Sequence, residues 1–156
     1  MSRFAIQKHY NALQPLFALG NNLRASGLEN SLIELVLMRA SQLNACAYCL
    51  DMHSKDARAG GESEQRLYLL PAWREVSLFS ERERAALALC EAMTHLDSHD
   101  AVPDALYEQV RAQFNESELV NLTLLVVMIN GWNRINAVAR TEAGSYRPGM
   151  HQTAAA

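Results

Sequence analysis

The chain is short of nearly everything that would send it outside the cell, into a membrane or onto nucleic acid. It has three cysteines, Cys46, Cys49 and Cys90, in 156 residues, too few and of the wrong parity for the disulfide framework of a small secreted protein. Its longest apolar run, Leu122 to Ile129, is interrupted by Thr123 and falls far below the roughly 20 residues a spanning helix requires. The opening "MSRFAIQKHYNALQPLF" has no continuous apolar segment and no small-residue cleavage site, so no secretory signal is read there. Basic charge is not in excess: 14 Lys and Arg stand against 17 Asp and Glu, for a net charge of −3, and they are spread along the chain, which argues against nucleic acid as a partner. Sustained two-residue alternation, internal repeats and low-complexity linkers are also missing. These absences leave a soluble protein expected in the cytoplasm, all-α in fold class. With 49% hydrophobic residues it has material for one core and is read as a single domain over 1–156.

What is present is helical punctuation. A first helix is predicted from about Ala5 to Ala25, irregular at Pro15 and ending near Gly27. The second, Asn30 to Leu43, is apolar nearly all round apart from Glu34 and Arg39, the mark of a buried helix. Asn44 is expected to cap a third that runs to Ala59 and stops at Gly60 and Gly61. "SEQRLYLL" makes a shorter helix that Pro71 should end. Ser80 with Glu83, and Asn115 with Glu118, have capping-box spacing and open helices through "ERERAALALCEAMTHL" and to about Thr141. Pro103 leads "PDALYEQVRAQF" between them. Gly131, inside the last helix, predicts a close backbone contact with another helix or subunit. The tail "GSYRPGMHQTAAA" carries no apolar pattern and is expected to be mobile or to lie along a neighbour.

The chemistry concentrates in "NACAYCLDMHSKDARAGG", residues 44 to 61. At 100° per residue Cys46 and Cys49 lie about 60° apart on the helix, and Cys49 and His53 about 40°, so the three side chains share a face. Thiolate is the reactive form. His53, four residues on, is placed to share the proton of Cys49, whereas the helix dipole favours thiolate at Cys46, so spacing leaves the order of attack open. It also leaves three readings. One thiolate attacks an O–O or S–S bond and the other closes a disulfide; or Cys46, Cys49 and His53 bind zinc with Cys90, His95 or His99 as a fourth ligand, although no second CxxC exists; or the cysteines are small core residues. Glu34 is either an exposed carboxylate balancing Arg39 or a buried acid, whose burial would raise its pKa toward that of a useful base.

Glu34, then Cys46 in "CAYC" twelve positions later, then His53 four beyond Cys49, resembles the core motif of the alkylhydroperoxidase AhpD and carboxymuconolactone decarboxylase superfamily, over about residues 20 to 140. The resemblance implies an AhpD-like helical bundle. It implies that Cys49 is the peroxidatic cysteine, that Cys46 resolves it as a disulfide, and that Glu34, through a water, and His53 relay the proton. The substrate it implies is an organic hydroperoxide or hydrogen peroxide, with an external dithiol as reductant and no haem, flavin or metal. It further implies a homo-oligomer, a trimer or a hexamer. The decarboxylase branch typically lacks the cysteine pair. The best-known AhpD proteins carry a histidine inside the CxxC where this chain has Tyr48, a poor base at neutral pH with an ordinary pKa near 10. Alternatives from other classes are a redox-responsive or zinc-binding module without turnover, and a lactone decarboxylase or isomerase.

The other polar and sulfur residues have plainer readings. His95 and His99 are expected to be solvated or capping, Cys90 a packed thiol, and Met38, Met52 and Met128 core filler. Trp132, Asn133, Arg134 and Asn136 suit an interhelical polar contact or a subunit interface better than a substrate mouth.

Overall fold

In the computed structural model, described for residues 2–96 and 99–150, the chain is helical throughout its regular structure. The helices are α1 (Tyr10–Arg24), α2 (Asn30–Leu43), α3 (Ala47–Ala59), α4 (Glu64–Leu69), α5 (Glu81–His95), α6 (Asp104–Arg111) and α7 (Glu116–Ala139), with short 3-10 helices at Ile6–His9 and Leu70–Glu75. No described helix is long and apolar enough to cross a membrane. The first predicted helix is thus a 3-10 turn leading into α1, and Pro15 sits inside α1. α4 ends at Leu69, two residues before Pro71 as expected, and Pro71 occupies the start of the second 3-10 helix, where its missing N–H costs no bond.

The architecture follows from α2. Leu32, Ile33, Leu35, Val36, Leu37, Met38 and Ala40 are all buried, so this helix has apolar surface to cover on every side. α3, α5 and α7 cover it. One apolar cluster joins α2 to α1, α5, α6 and α7 around Ile33, Leu37, Phe114 and Leu125. A second lies on the other flank around Leu35, Leu70, Trp73 and Phe79. Both predicted capping boxes form, Ser80 with Glu83 and Asn115 with Glu118. Within the chain Gly131 is not a close approach, since a Cβ there would meet only Leu16 at 3.9 Å; the tight glycine is Gly20 of α1, where an added Cβ would come within 3.3 Å of Met128 Sδ of α7.

The turn from α2 to α3 differs from the predicted one. Asn44 ends α2 instead of capping α3, and Cys46 is the residue that precedes the first turn of α3. The Cys46 N–H donates to Ser41 (3.0 Å) and the Ala45 N–H to Gln42 (3.2 Å), the paired bonds of a Schellman motif. Ala45 takes the left-handed conformation (φ 51°) usually given to glycine; the end of α2 at Leu43 agrees with the expected one, and the form of the turn does not. The Asn44 side-chain amide donates to Asn130 (3.0 Å) and Asn133 (2.9 Å) of α7, and Asn133 donates to Ser41 (3.2 Å). The start of α3 is therefore fixed to two buried helices.

Candidate active site

With Cys46 before the first turn, Cys49 becomes the third residue of α3, where backbone N–H groups have no intrahelical acceptor and the dipole is positive. The revised boundary gives both cysteines that field. Their sulfurs are joined in a disulfide (S–S 2.22 Å). Cys49 is 1% exposed and Cys46 7%. The hydrogen bond to the Cys49 sulfur among the described residues comes from the Asn136 amide of α7, at 3.6 Å.

His53 lies one turn beyond Cys49 and is buried. Its Nδ1 is 3.0 Å from Glu34 Oε2, and Glu34 Oε1 accepts from Arg24 Nη2 at 2.6 Å. Glu34 is therefore buried and paired, but with Arg24 of α1 and not with Arg39, which bonds to Glu91 at 2.7 Å. Burial pushes the Glu34 carboxyl up, yet the hydrogen bond and charge of His53 and the charge of Arg24 outweigh it and hold the pKa below the ordinary carboxylate value. The expectation that burial would raise the pKa is corrected accordingly: the hydrogen bonds and charges of His53 and Arg24 outweigh the burial. A carboxylate held ionised favours hydrogen on Nδ1 and leaves Nε2 as the basic ring nitrogen.

Asp56, one turn further along α3, brings a second carboxylate. Glu34, His53 and Asp56 form a group whose polar atoms lie within 4.8 Å of one another. Burial and the charge of Glu34 push Asp56 up, against the hydrogen bond it receives from Tyr146. Glu34 is already engaged by Arg24 and His53, and Asp56 by the Tyr146 hydroxyl (2.9 and 3.0 Å), so the donor set is occupied by protein groups. The zinc set considered from sequence does not assemble. Cys46 and Cys49 are bonded to each other, His95 and His99 are exposed, and the buried Cys90 thiol faces the Val36 carbonyl at 3.6 Å. Burial, above all, pushes Cys90 up to about 12.

The tail contributes a wall. Lys55 donates to the carbonyls of Gly144 (3.2 Å) and Tyr146 (3.0 Å), and the Gly144 N–H donates to Asp51 (2.9 Å). Residues 144–150 thus lie along the chain's own α3; the remaining tail residues, 151–156, lie outside the described part. Tyr146 is 6% exposed.

These elements enclose a cavity of about 1040 Å³ that reaches Cys49, His53, Glu34 and Asn136, with Phe17, Met52 and Trp132 among its apolar walls. Cys46 does not line it. Phe17 stacks on Tyr10 (5.4 Å) and leans on Trp132 (4.7 Å). Tyr48 borders the same space; burial and the charges of Asp51 and Asp56 raise its pKa, so it stays a phenol at neutral pH. Of the late α7 cluster, Asn133 serves the interhelical contact foreseen, whereas Trp132 and Asn136 face the cavity. Arg24, Asp56, Asn136 and Tyr146 were not assigned to the site from sequence. Asp56 shares α3 with His53 at i,i+3 spacing, whereas Arg24, Asn136 and Tyr146 are joined to the site only by the fold.

Comparison with known proteins bears on the family and the fold. Residues 11–92 match the carboxymuconolactone decarboxylase family. The uncharacterized protein YdfG of Bacillus subtilis (strain 168) is 44% identical over 122 residues, 78% of this chain and 82% of YdfG. The uncharacterized YnjA of Escherichia coli (strain K12) is 32% identical over 73% of this chain and 62% of its own. A crystal structure from Agrobacterium tumefaciens, described as a protein of unknown function and a candidate antioxidant defence protein AhpD, superposes with a TM-score of 0.87 at 38% identity, covering 94% of this chain and 100% of that one. The debrominase Bmp8 in complex with 2,3,4-tribromopyrrole shares the fold, with a TM-score of 0.79 at 17% identity over 90% of this chain and 74% of its own.

Proposed function

The chain belongs to the carboxymuconolactone decarboxylase family, and from that premise we propose that it is an AhpD-like thiol peroxidase that reduces organic hydroperoxides or hydrogen peroxide. The observation that carries the reading is the Cys46–Cys49 disulfide with only its Cys49 end on the cavity, beside the buried His53–Glu34 pair. A reactive thiolate needs a substrate route and a proton acceptor. A second thiol then removes the sulfenic acid before it is over-oxidised.

In the reduced protein His53 Nε2 takes the Cys49 proton while Glu34 stabilises the resulting imidazolium, and the first turn of α3 stabilises the thiolate. Cys49 sulfur attacks the terminal peroxide oxygen. The S–O bond forms as the O–O bond breaks, two electrons pass from sulfur to the peroxide, and the leaving alkoxide takes a proton from His53 to become an alcohol. The Cys46 thiol condenses with the Cys49 sulfenic acid, forming the disulfide and releasing water. An external dithiol restores both thiols by exchange. Glu34, held ionised, acts here by orienting and charging His53 and not as the base itself.

The test is consumption of cumene hydroperoxide with dithiothreitol as reductant. Turnover by the wild type, its loss in Cys49→Ser, and a dimedone-trapped Cys49 sulfenic acid in Cys46→Ser are expected. No consumption by the wild type, or full activity in Cys49→Ser, refutes the proposal. A homo-oligomer is part of the same reading. Val120, Leu124 and Val127 of α7 are exposed at i, i+4 and i+7, an apolar stripe of the kind that a second copy covers.

A further inference from the structure

Asn136 is set apart by its unequal satisfaction. It is buried, at 7% exposure, on the cavity wall. Both amide hydrogens are used, one on the Trp132 carbonyl at 3.0 Å and one on the Cys49 sulfur at 3.6 Å. The Trp132 carbonyl can only accept, so it fixes which end of the amide is nitrogen. The carbonyl end, Oδ1, is buried with no hydrogen-bond partner. An unpaired buried acceptor costs about 1–3 kcal/mol, and native interiors retain few of them. The other such atom among the described side chains, Thr141 Oγ1, borders the same cavity, and the Thr141 N–H donates to the Asn136 backbone carbonyl at 3.2 Å. Two unsatisfied polar atoms on one wall mark a place where the missing partner arrives with the ligand.

A hydroperoxide carries one hydrogen-bond donor, the O–H on its terminal oxygen, which is also the atom the thiolate attacks. An acceptor and a donor one carboxamide apart, with the donor already on sulfur, suit that pairing. We propose that Asn136 is a further catalytic residue: its N–H stabilises the Cys49 thiolate, and its Oδ1 accepts from the O–H of the bound hydroperoxide and aligns the terminal oxygen with the sulfur. The inference deepens the peroxidase reading and rests on it for the second role alone. In that role the S–O bond forms, the O–O bond breaks, sulfur loses two electrons to the peroxide, and the alkoxide leaves with a proton from His53.

The two roles separate experimentally. In a Cys46→Ser background, alkylation of Cys49 by iodoacetamide is followed against pH by peptide mass spectrometry, a readout that needs no peroxide turnover. Asn136→Ala shifts the profile to higher pH, so that alkylation below the midpoint slows about tenfold, the equivalent of one pKa unit. An unchanged profile in a variant with wild-type circular dichroism overturns the thiolate role. Should Asn136→Ala not fold, the similarly sized Asn136→Leu decides, since it removes the donor without adding a charge, and an unchanged profile there overturns the thiolate role. With Cys46 restored, kcat/KM for cumene hydroperoxide is measured above the shifted midpoint, where Cys49 is ionised in both proteins. A remaining loss of about tenfold or more supports the acceptor role, and equal values overturn it. A wild type that shows the alkylation behaviour without consuming peroxide keeps the first role, overturns the second and refutes the peroxidase reading separately.

Discussion

Replacing Glu34 with glutamine removes one charge from the chain of Arg24, Glu34 and His53, of which Glu34 and His53 are buried, and leaves its shape intact. In the wild type Glu34 accepts from Arg24 at 2.6 Å and pairs with His53 at 3.0 Å. Hydrogen bonds to charged groups contribute about 1.5–3 kcal/mol each. The Arg24 side chain is 42% exposed, which places that bond at the weaker end, and glutamine still accepts one bond. A net loss of about 2 kcal/mol follows, or roughly 4–8 °C in Tm for a chain of this size. Because the folded pKa of Glu34 lies below the ordinary value of 4.5, the folded protein binds fewer protons there than the unfolded one. Stability from this group is thus fully present above about pH 4.5 and is lost as pH falls through the folded pKa. The gap in Tm between wild type and Glu34→Gln should be constant from pH 6 to 8 and close only below pH 4.5, read by circular dichroism melts of the oxidised protein. Glutamine would also donate to His53 Nδ1, moving the ring hydrogen to Nε2 and removing the base. A fall in peroxide consumption of about 100-fold or more follows, in the range seen for a lost general base. A gap that already closes between pH 5 and 7 would mean that Glu34 is protonated near neutrality, and unchanged consumption would remove it from the proton path.

Three further outcomes are expected. Ala45→Gly relieves a left-handed alanine at a net gain of about 0.5–1 kcal/mol, so Tm should rise by 1–4 °C; a fall in Tm would contradict the strain argued at the α2–α3 turn. Cys90, raised to about 12 and fully buried, should resist iodoacetamide at pH 8 in the folded protein while reacting in urea, checked by intact mass. Val127→Glu places a charge in the exposed α7 stripe and should lower the mass measured by light scattering without changing the helical content. An unchanged mass would remove that stripe from any assembly interface.

Helices were legible where their signals are local. The capping boxes at Ser80 and Asn115, the double glycine after Ala59 and the all-round apolar character of α2 each act within one or two turns, and each predicted element formed. The approach of Cys46 to Cys49 was legible from the same short spacing, although Cys46 precedes the first turn of α3 instead of sharing its face. The α2–α3 turn was missed because Ala45 adopts a conformation that normally advertises itself with glycine. Within the chain Gly131 makes only an ordinary contact, and it is Gly20, unremarked in the sequence, that has little room for a Cβ. Within the site, the carboxylate that meets His53 was foreseen through the family motif, but its charge state was not. That state depends on Arg24 from a different helix. Asp56 with Tyr146, and Asn136 with Cys49, are separated by 90 and 87 positions, and no periodicity links positions so far apart.

The cavity borrows from both extremities of the chain. Phe4 and Ile6 line it beside Tyr146 and Pro148, and the Arg3 N–H is tied to Ala139 at 2.8 Å. During synthesis the cysteine pair leaves the ribosome about a hundred residues ahead of Tyr146, so the helical scaffold can gather around α2 while the chamber still stands open. Tyr146, Pro148 and Gly149, which follow much later, complete its wall. A nascent or prematurely terminated chain would therefore carry both thiols without the compartment that selects what reaches them.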